Sequence, residues 1–474
     1  MTQGPVTIIG GGLAALMTAH FLRLRGVKDE IIIVERADQV GGLLRAIDGG
    51  EWGLFDQGMH TFTSALIPEL DEIVFGMLPA DEWIWLRDET RDLSGVIFEG
   101  KLQRDSHYPD LRLLPDGLRE RAIADFFLSL DPKSMDRPPS NMEEYARQRF
   151  GPVVATEVIS PILEKLYGRR AAQIDPVVAV LLPLDRVTLF DETAFRALME
   201  NDLLRARIAY PDQRRLPLRY ASGRYSVYPR DFGAYRLVDA VLKKLEATNV
   251  SVLTRTELAG VEIANSAVTA ISLRGPFGER RIENPRDVYW TAGLSGLART
   301  LGLPEGRAGF EAPKLAAVMN ILVDHKPHLD DLYYFWCFDR NFKSFRICNF
   351  ANYSPGAPRR GGYPISVEFF LDPEDPRDES ALLDLTLREL RAFGAIDEKT
   401  RVLYHTGHAL PVGFPILSLE NRRIIEATRR GVDALELQNL AVTGIQSDWG
   451  VVFQPDVLAH AWNTVNARTG RAGA

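Results

Sequence analysis

Cysteine is scarce. The 474 residues hold two, Cys337 and Cys348, and neither belongs to a C-x-x-C pair or to a Cys/His cluster with zinc-ligand spacing. That argues against a disulfide framework and a structural zinc site. The two lie on neighbouring strand-like segments, and reduced, buried thiols are the expected state in a reducing compartment. The eight histidines are scattered. His325 with His328, and His405 with His408, are i,i+3 pairs in loop-like sequence with no carboxylate pattern nearby, so no metal ligand is assigned. No apolar run approaches the roughly 20 residues of a membrane span. A basic surplus is also missing: the net charge is -8, which argues against a nonspecific nucleic-acid surface. Low-complexity segments and repeats are lacking. The first strand starts by Val6 without a basic leader or cleavage site, and a cytoplasmic protein is expected.

What is present is ordinary globular composition, 46% hydrophobic and 25% charged, in a chain long enough for about two to three domains. The opening segment is the informative one. A β-branched run, Val6 to Ile9, meets Gly10-Gly11-Gly12. A helix-like apolar stretch follows, then a second strand, Ile31 to Val34, ending on Glu35. Gly10 permits a tight turn, Gly12 lets backbone approach a pyrophosphate, and Ala15 keeps the helix close to the sheet. The helix start, Leu13 and Ala14, offers unpaired N–H groups to negative charge. Glu35 is placed to accept hydrogen bonds from ribose hydroxyls. Such a motif between a strand and a helix, with the acid at this distance, is a strong dinucleotide signal.

The motif continues as E-R-x-x-x-x-G-G-x-x-R, with Glu35, Arg36, Gly41, Gly42 and Arg45, and Leu43 within it. A nicotinamide site does not need the second glycine pair. Here the chain resembles the FAD-dependent amine oxidase / protoporphyrinogen oxidase / phytoene desaturase superfamily, and within it UDP-galactopyranose mutase-like flavoproteins. The resemblance implies an α/β fold: a Rossmann-like, two-dinucleotide-binding FAD domain, an antiparallel-sheet substrate domain and a helical insertion. The expected division is 1–65, 221–295 and 421–474 for the FAD domain, 66–220 for the mainly helical insertion, and 296–420 for the substrate domain. FAD is the implied cofactor. Leu258 is implied to hold the adenine edge through its backbone, while Gly444, Asp456 and Val457 bring a helix N-terminus to the flavin. The expected partner is a small-molecule substrate, with no nucleic acid and no integral membrane association; the oligomeric state is open and a dimer is compatible.

Further expectations concern local structure. SNMEEYARQRF reads as a capping box with Ser140 at N-cap and Glu143 at N3, and a helix over Val154 to Leu166 is kinked or broken at Pro161. Residues 310–372 read as antiparallel strands flooring the substrate pocket, with a helix over Glu379 to Phe393 beside them.

Two residues are the expected catalytic pair. His60 lies in F-D-Q-G-M-H-T-F, which resembles a block whose histidine backs onto the isoalloxazine. Arg346 lies in a β-run, where alternation puts it on the face of Cys348 and opposite Phe345 and Ile347; guanidinium suits a diphosphate or carboxylate. Candidate substrate contacts are Lys165, in a helix-end motif, Tyr228, in a Y-P-x-x-G segment, Tyr334 and Trp336, in an aromatic run, and Asn349 and Asn352. The mutase pattern is not complete. Thr63 stands where a second histidine is expected, Ile445-Gln446 follows Gly444 in place of G-R, and Gln454-Pro455-Asp456 replaces N-M-D. Three readings follow: an FAD-dependent oxidoreductase transferring hydride from a polar, sugar- or nucleotide-linked molecule to flavin N5; a non-redox sugar mutase using reduced flavin as a nucleophile; and a non-catalytic flavin-bound scaffold. The first is favoured.

Overall fold

The computed structural model describes residues 4–470 except 92, 132, 134–136, 222, 305–309, 376 and 411–414. The β-branched runs at Val6–Ile9 and Ile31–Val34 are fully buried. Burial on both faces is what a parallel sheet demands, since helices cover each side. A five-stranded sheet results, in the spatial order Val250–Leu253, Ile31–Val34, Val6–Ile9, Asp287–Trp290 and Leu440–Val442, every pair parallel. On one face pack the helices Leu13–Leu24, Tyr235–Glu246 and Gln454–Thr469. Ala15, Leu237, Val241, Ala461 and Trp462 join one hydrophobic cluster there. The opposite face is covered by a three-stranded antiparallel sheet spanning 257–283 and by the helix Leu419–Ala434, through Ile271, Leu273, Ile425 and Val432. Strands from three distant stretches of chain thus build one nucleotide-binding sheet.

A second, seven-stranded sheet lies against it. Its order is Val402–Ala409, Leu315–Val323, Tyr363–Leu371, Ser344–Asn349, Tyr334–Cys337, Ser94–Phe98 and Lys101–Gln103. The last two strands lie within the stretch read from sequence as helical insertion, and Ser94–Phe98 runs parallel to Tyr334–Cys337. The seven-stranded sheet is therefore mostly, not wholly, antiparallel and reaches outside 296–420. Its outer face packs on the helix Glu379–Ala392 through Phe335, Ile347, Val367, Leu382 and Leu385. Its inner face meets both the helical insertion and the nucleotide-binding unit, with Trp336 packed against both clusters.

Local expectations need three corrections. The cap of the helix Met142–Phe150 is Asn141, whose side chain accepts from Glu144 N at 2.8 Å; Ser140 instead donates through N and Oγ to Glu144. The box is thus displaced by one residue. Pro161 breaks nothing, because a π-helical turn over Ala155–Ile159 precedes the helix Ser160–Tyr167, and the wider turn passes the residue that lacks an N–H. Alternation fails at Phe345: a register shift between Ser344 and Arg346 turns this ring onto the inner face, stacked on Phe370 at 4.2 Å and near the Arg346 guanidinium. Both cysteines are buried and unbridged, with Cys348 Sγ 2.7 Å from the Tyr353 hydroxyl.

Burial holds His20, His60 and His107 down to about 4. The unfolded chain binds these protons below pH 6.5 while the native state refuses them until about pH 4. Their contribution to stability is therefore present above pH 6.5 and lost as pH falls through that window. Chemical unfolding measured across it should show stability falling on acidification. His107→Asn should make that fall shallower; an unchanged slope would contradict the burial argument.

Candidate functional site

The C-terminal ends of three parallel strands converge on the glycine loop. Gly10 has φ +104°, and a β-carbon on it would lie 2.5 Å from Thr291 Oγ1. Thr291 is held there by its own N–H and hydroxyl, both donating to the Ile9 carbonyl. Gly444 has φ +97° and its β-carbon would meet the Thr291 carbonyl at 2.9 Å. Gly12 differs. A β-carbon there would touch nothing within 4 Å, so the space over this residue is open. Gly12 caps the helix Leu13–Leu24 without any side-chain hydrogen bond. The first N–H groups of that helix, through Leu13 and Ala14, are left to an outside acceptor, and Ala15 is fully buried against the sheet.

Glu35 is fixed by two main-chain donors, Gly11 N to Oε2 and Ala37 N to Oε1, each 2.7 Å. A carboxylate has about four acceptor sites, so capacity for ribose hydroxyls is left. The second glycine pair folds back over the first: Gly41 N donates to the Gly11 carbonyl at 2.7 Å, and a β-carbon on Gly42 would sit 3.3 Å from Gly12 Cα. Arg45 follows the short turn Gly42–Leu44, which includes Leu43, and its Nε donates to the Gly42 carbonyl. Arg36 is exposed and lines an open cleft of about 310 Å³ with Arg255, Glu257 and Arg274, beside the strand that carries Leu258. At the far side, the helix Gln454–Thr469 has Phe453 as its N-cap, so the junction lies earlier than Asp456 and Val457. Asp456 is its N3 residue and accepts from Phe453 N. Gln454 accepts from Thr63 N at 2.9 Å, tying the helix start to the His60 segment.

His60 lies where this unit meets the inner face of the seven-stranded sheet. Glu368, which no sequence motif marked, organises that junction. Arg346 donates to it through Nε and one terminal nitrogen, at 2.8 and 2.9 Å, and the same terminal nitrogen reaches the Met59 carbonyl at 3.2 Å. Glu368 also accepts from Met59 N at 3.0 Å. A β-carbon on Gly58 (φ +91°) would come within 2.7 Å of the Glu368 carboxyl carbon, which accounts for the glycine in F-D-Q-G-M-H. His60 Nδ1 is buried without a hydrogen-bond partner. Desolvation holds this imidazole down to about 4; Glu368 and a contact with the Gly58 backbone pull it up and Arg346 pulls it down. It is neutral at neutral pH.

Strand register extends this group. His408, Val318, Glu368, Arg346, Trp336 and Val96 lie in one row across six strands. His408 is exposed on that row, with Nε2 2.8 Å from Thr406 Oγ1. The Arg346 guanidinium lies 5.4 Å from the Trp336 ring centroid, and Tyr334 is edge-on to Trp336.

Other expected contacts are engaged elsewhere. Tyr228 is fully buried; its hydroxyl donates to Asp56 at 2.7 Å and accepts from Gly233 N. Asp56, also missed, accepts from Ala234 N, and its carbonyl accepts from Asn320, so it joins the first segment, the Y-P-x-x-G segment and the sheet. Burial raises its carboxyl to about 6. Lys165 donates to the Cys337 carbonyl, Cys337 Sγ and the Ser344 carbonyl, which occupies its three protons. Asn349 and Asn352 both direct side-chain amides at the Leu332 carbonyl. Most of these partners are distant in sequence, so no local motif announces them.

The family model for NAD(P)-binding Rossmann-like domains matches residues 8–73. This chain carries a Rossmann-like dinucleotide-binding domain. No curated protein sequence matches the chain. Among solved structures, reduced UDP-galactopyranose mutase is similar at 17% identity with a TM-score of 0.76, covering 100% of this chain and 95% of that one. A candidate protoporphyrinogen oxidase from Exiguobacterium is similar at 15% identity and a TM-score of 0.71, covering 99% and 100%. Cyclohexylamine oxidase from Brevibacterium oxydans is similar at 13% identity and 0.57, covering all of both chains. The fold is shared along the whole length. Among the described residues, no helix is long and apolar enough to cross a membrane.

Removing one partner of a buried ion pair strands the other charge, at a cost of about 3–5 kcal/mol, and the partly exposed Arg346–Glu368 pair falls toward the lower end of that range. Glu368→Gln should destabilise the chain on that scale, and adding Arg346→Met should recover most of the loss. Chemical denaturation checks both; a double variant no more stable than the single would contradict the pairing.

Proposed function

We propose that the chain is a cytoplasmic FAD-dependent oxidoreductase acting on a polar small molecule, sugar- or nucleotide-linked compounds being the first class to test. The observation that carries this is the placement of His60 beside Met59, which both Arg346 and Glu368 hold, in a segment that Gln454 ties to the start of the last helix, together with an open glycine cradle on the same unit. The residues fit the cofactor. Open space over Gly12 and uncapped helix N–H groups suit a diphosphate, and Glu35 suits the ribose. Gly41, Gly42, Leu43 and Arg45 would close over the phosphates. Leu258 and Arg36 would face the adenine end, and Gly444, Asp456 and Val457 the flavin end. Bound FAD would supply the hydride acceptor. His60, neutral at working pH, offers a ring nitrogen to hold or donate one proton beside the reacting centre. Arg346 acts as a positioning residue: the edge bound to Glu368 is occupied, so its role is to fix Met59 and His60 and to offer its remaining donors to substrate. Tyr334 and Trp336 present ring surface on the same face. Lys165, Tyr228, Asn349 and Asn352 would shape the site through the main-chain contacts they hold.

A second reading, sugar ring isomerisation by reduced flavin, is favoured by the full-length likeness to reduced UDP-galactopyranose mutase. Anaerobic mixing with a panel of nucleotide sugars and amines separates the two. Substrate bleaches the flavin in an oxidoreductase, whereas a mutase turns over only after prereduction and consumes no acceptor. A bound flavin inert to both series supports the scaffold reading instead. His60→Asn should slow flavin reduction by about 100-fold while flavin content per chain is unchanged. Parallel loss of flavin and rate would reduce His60 to a structural role.

A further inference from the structure

Beyond the end of the strand Leu315–Val323 of the seven-stranded sheet, the fold assembles a group that the spacing of its histidines did not reveal. His325 and His328 follow the strand Leu315–Val323, and Asp397 follows the helix Glu379–Ala392. One ligand atom from each, among the two imidazoles and the carboxylate, lies within 4.8 Å of the others. We propose that His325, His328 and Asp397 bind one divalent ion of the zinc class, water completing the shell.

The hydrogen bonds around the group prepare it for a metal. His325 Nδ1 lies 2.8 Å from Asp324 Oδ1. A carboxylate only accepts, so Nδ1 carries the proton in this contact, and in the neutral ring Nε2 is the nitrogen that can bind a metal. This is the carboxylate–histidine arrangement that sets the tautomer of a metal ligand. Asp324 is itself fixed by Arg401, through Nε at 2.8 Å and the main-chain N at 3.1 Å. Asp397 is held in the same manner: Oδ1 accepts from Lys399 N and Thr400 N, each 2.9 Å, leaving Oδ2 toward His328 Nε2 at 4.0 Å. That gap is too long for a hydrogen bond. The Thr400 hydroxyl accepts from Asp397 N at 3.1 Å and lies 3.0 Å from Asp397 Oδ1 and 3.1 Å from His325 Nε2. The hydroxyl has one proton for two acceptors, and turning it to Oδ1 would release the imidazole lone pair to an ion. Zinc bonds of about 2.0–2.2 Å put tetrahedral ligand atoms about 3.4 Å apart, so small inward rotations of half-exposed and exposed rings close the site. Imidazole plus carboxylate is a set that suits zinc and its neighbours better than calcium or magnesium. The ion would clip the end of a sheet strand to the turn leaving the helix that covers that sheet.

The full-length chain, stripped of metal by chelator, is titrated with ZnCl₂ in a calorimeter at neutral pH. One saturable equivalent is expected, and zinc should raise the melting temperature. His328→Asn and Asp397→Asn should each abolish the saturable phase and the thermal shift. Asp324→Asn, acting only through the His325 tautomer, should weaken binding by about tenfold. His405→Asn, in the other histidine pair, should change nothing, and the flavin content of every variant should match the parent. Absence of a saturable equivalent, or equal zinc affinity in the His328→Asn and His405→Asn proteins, would overturn the proposal.

Discussion

Gly10 has no room for a side chain, and that is the constraint on which the rest of the molecule depends. Its left-handed backbone and the 2.5 Å clearance to Thr291 Oγ1 bring the ends of the Val6–Ile9 and Asp287–Trp290 strands to one point. Gly444 closes the same point from the third strand. The tight turn then lays the helix Leu13–Leu24 back over the sheet face and leaves its first amides unpaired at the strand ends. The two glycines carry different burdens. Packing demands Gly10, while the open space beside Gly12 is a vacancy that packing does not require.

From those strand ends the structure reaches its second unit through a buried carboxylate, Asp56, and a partly buried one, Glu368. Asp56 gathers Tyr228, Ala234 and Asn320; Glu368 accepts from Arg346 and from Met59 N, and Arg346 in turn donates to the Met59 carbonyl. Between them runs a five-residue stretch, 56–60, held on both sides. A buried ion pair contributes little net stability against an apolar replacement, so Arg346–Glu368 is best understood as fixing geometry. It sets the position of Met59 and so of His60, whose imidazole is held below its ordinary pKa by burial.

The sequence was readable where the chemistry is local. The glycine loop, Glu35 and the second glycine pair act within one β-α-β unit, and the fold places them together as their spacing implies. His60 was legible as part of a block, but the reason for that block was not. Gly58 serves Glu368, which arrives by strand register from three hundred residues away. The same limit explains the other differences. Ser94–Phe98 joins the large sheet by parallel pairing that no periodicity announces, and the bulge at Ser344–Arg346 reverses Phe345 against simple alternation. Asn141 takes the cap beside Ser140 because either side chain could do so, and only the backbone path decides. Lys165 and Tyr228 read as polar groups in cofactor-like motifs, yet distant carbonyls and carboxylates claim them.

The central claim, that the cradle over Gly12 holds the diphosphate of FAD, is tested most directly by the small molecule the protein carries. Protein purified without added cofactor, stripped by denaturation and analysed by chromatography with mass detection, is predicted to release close to one FAD per chain. Gly12→Ala protein, whose added methyl meets no protein atom, is predicted to fold with parental stability and release little or none. Release of a nicotinamide dinucleotide in place of FAD, or undiminished FAD from Gly12→Ala, would contradict the account.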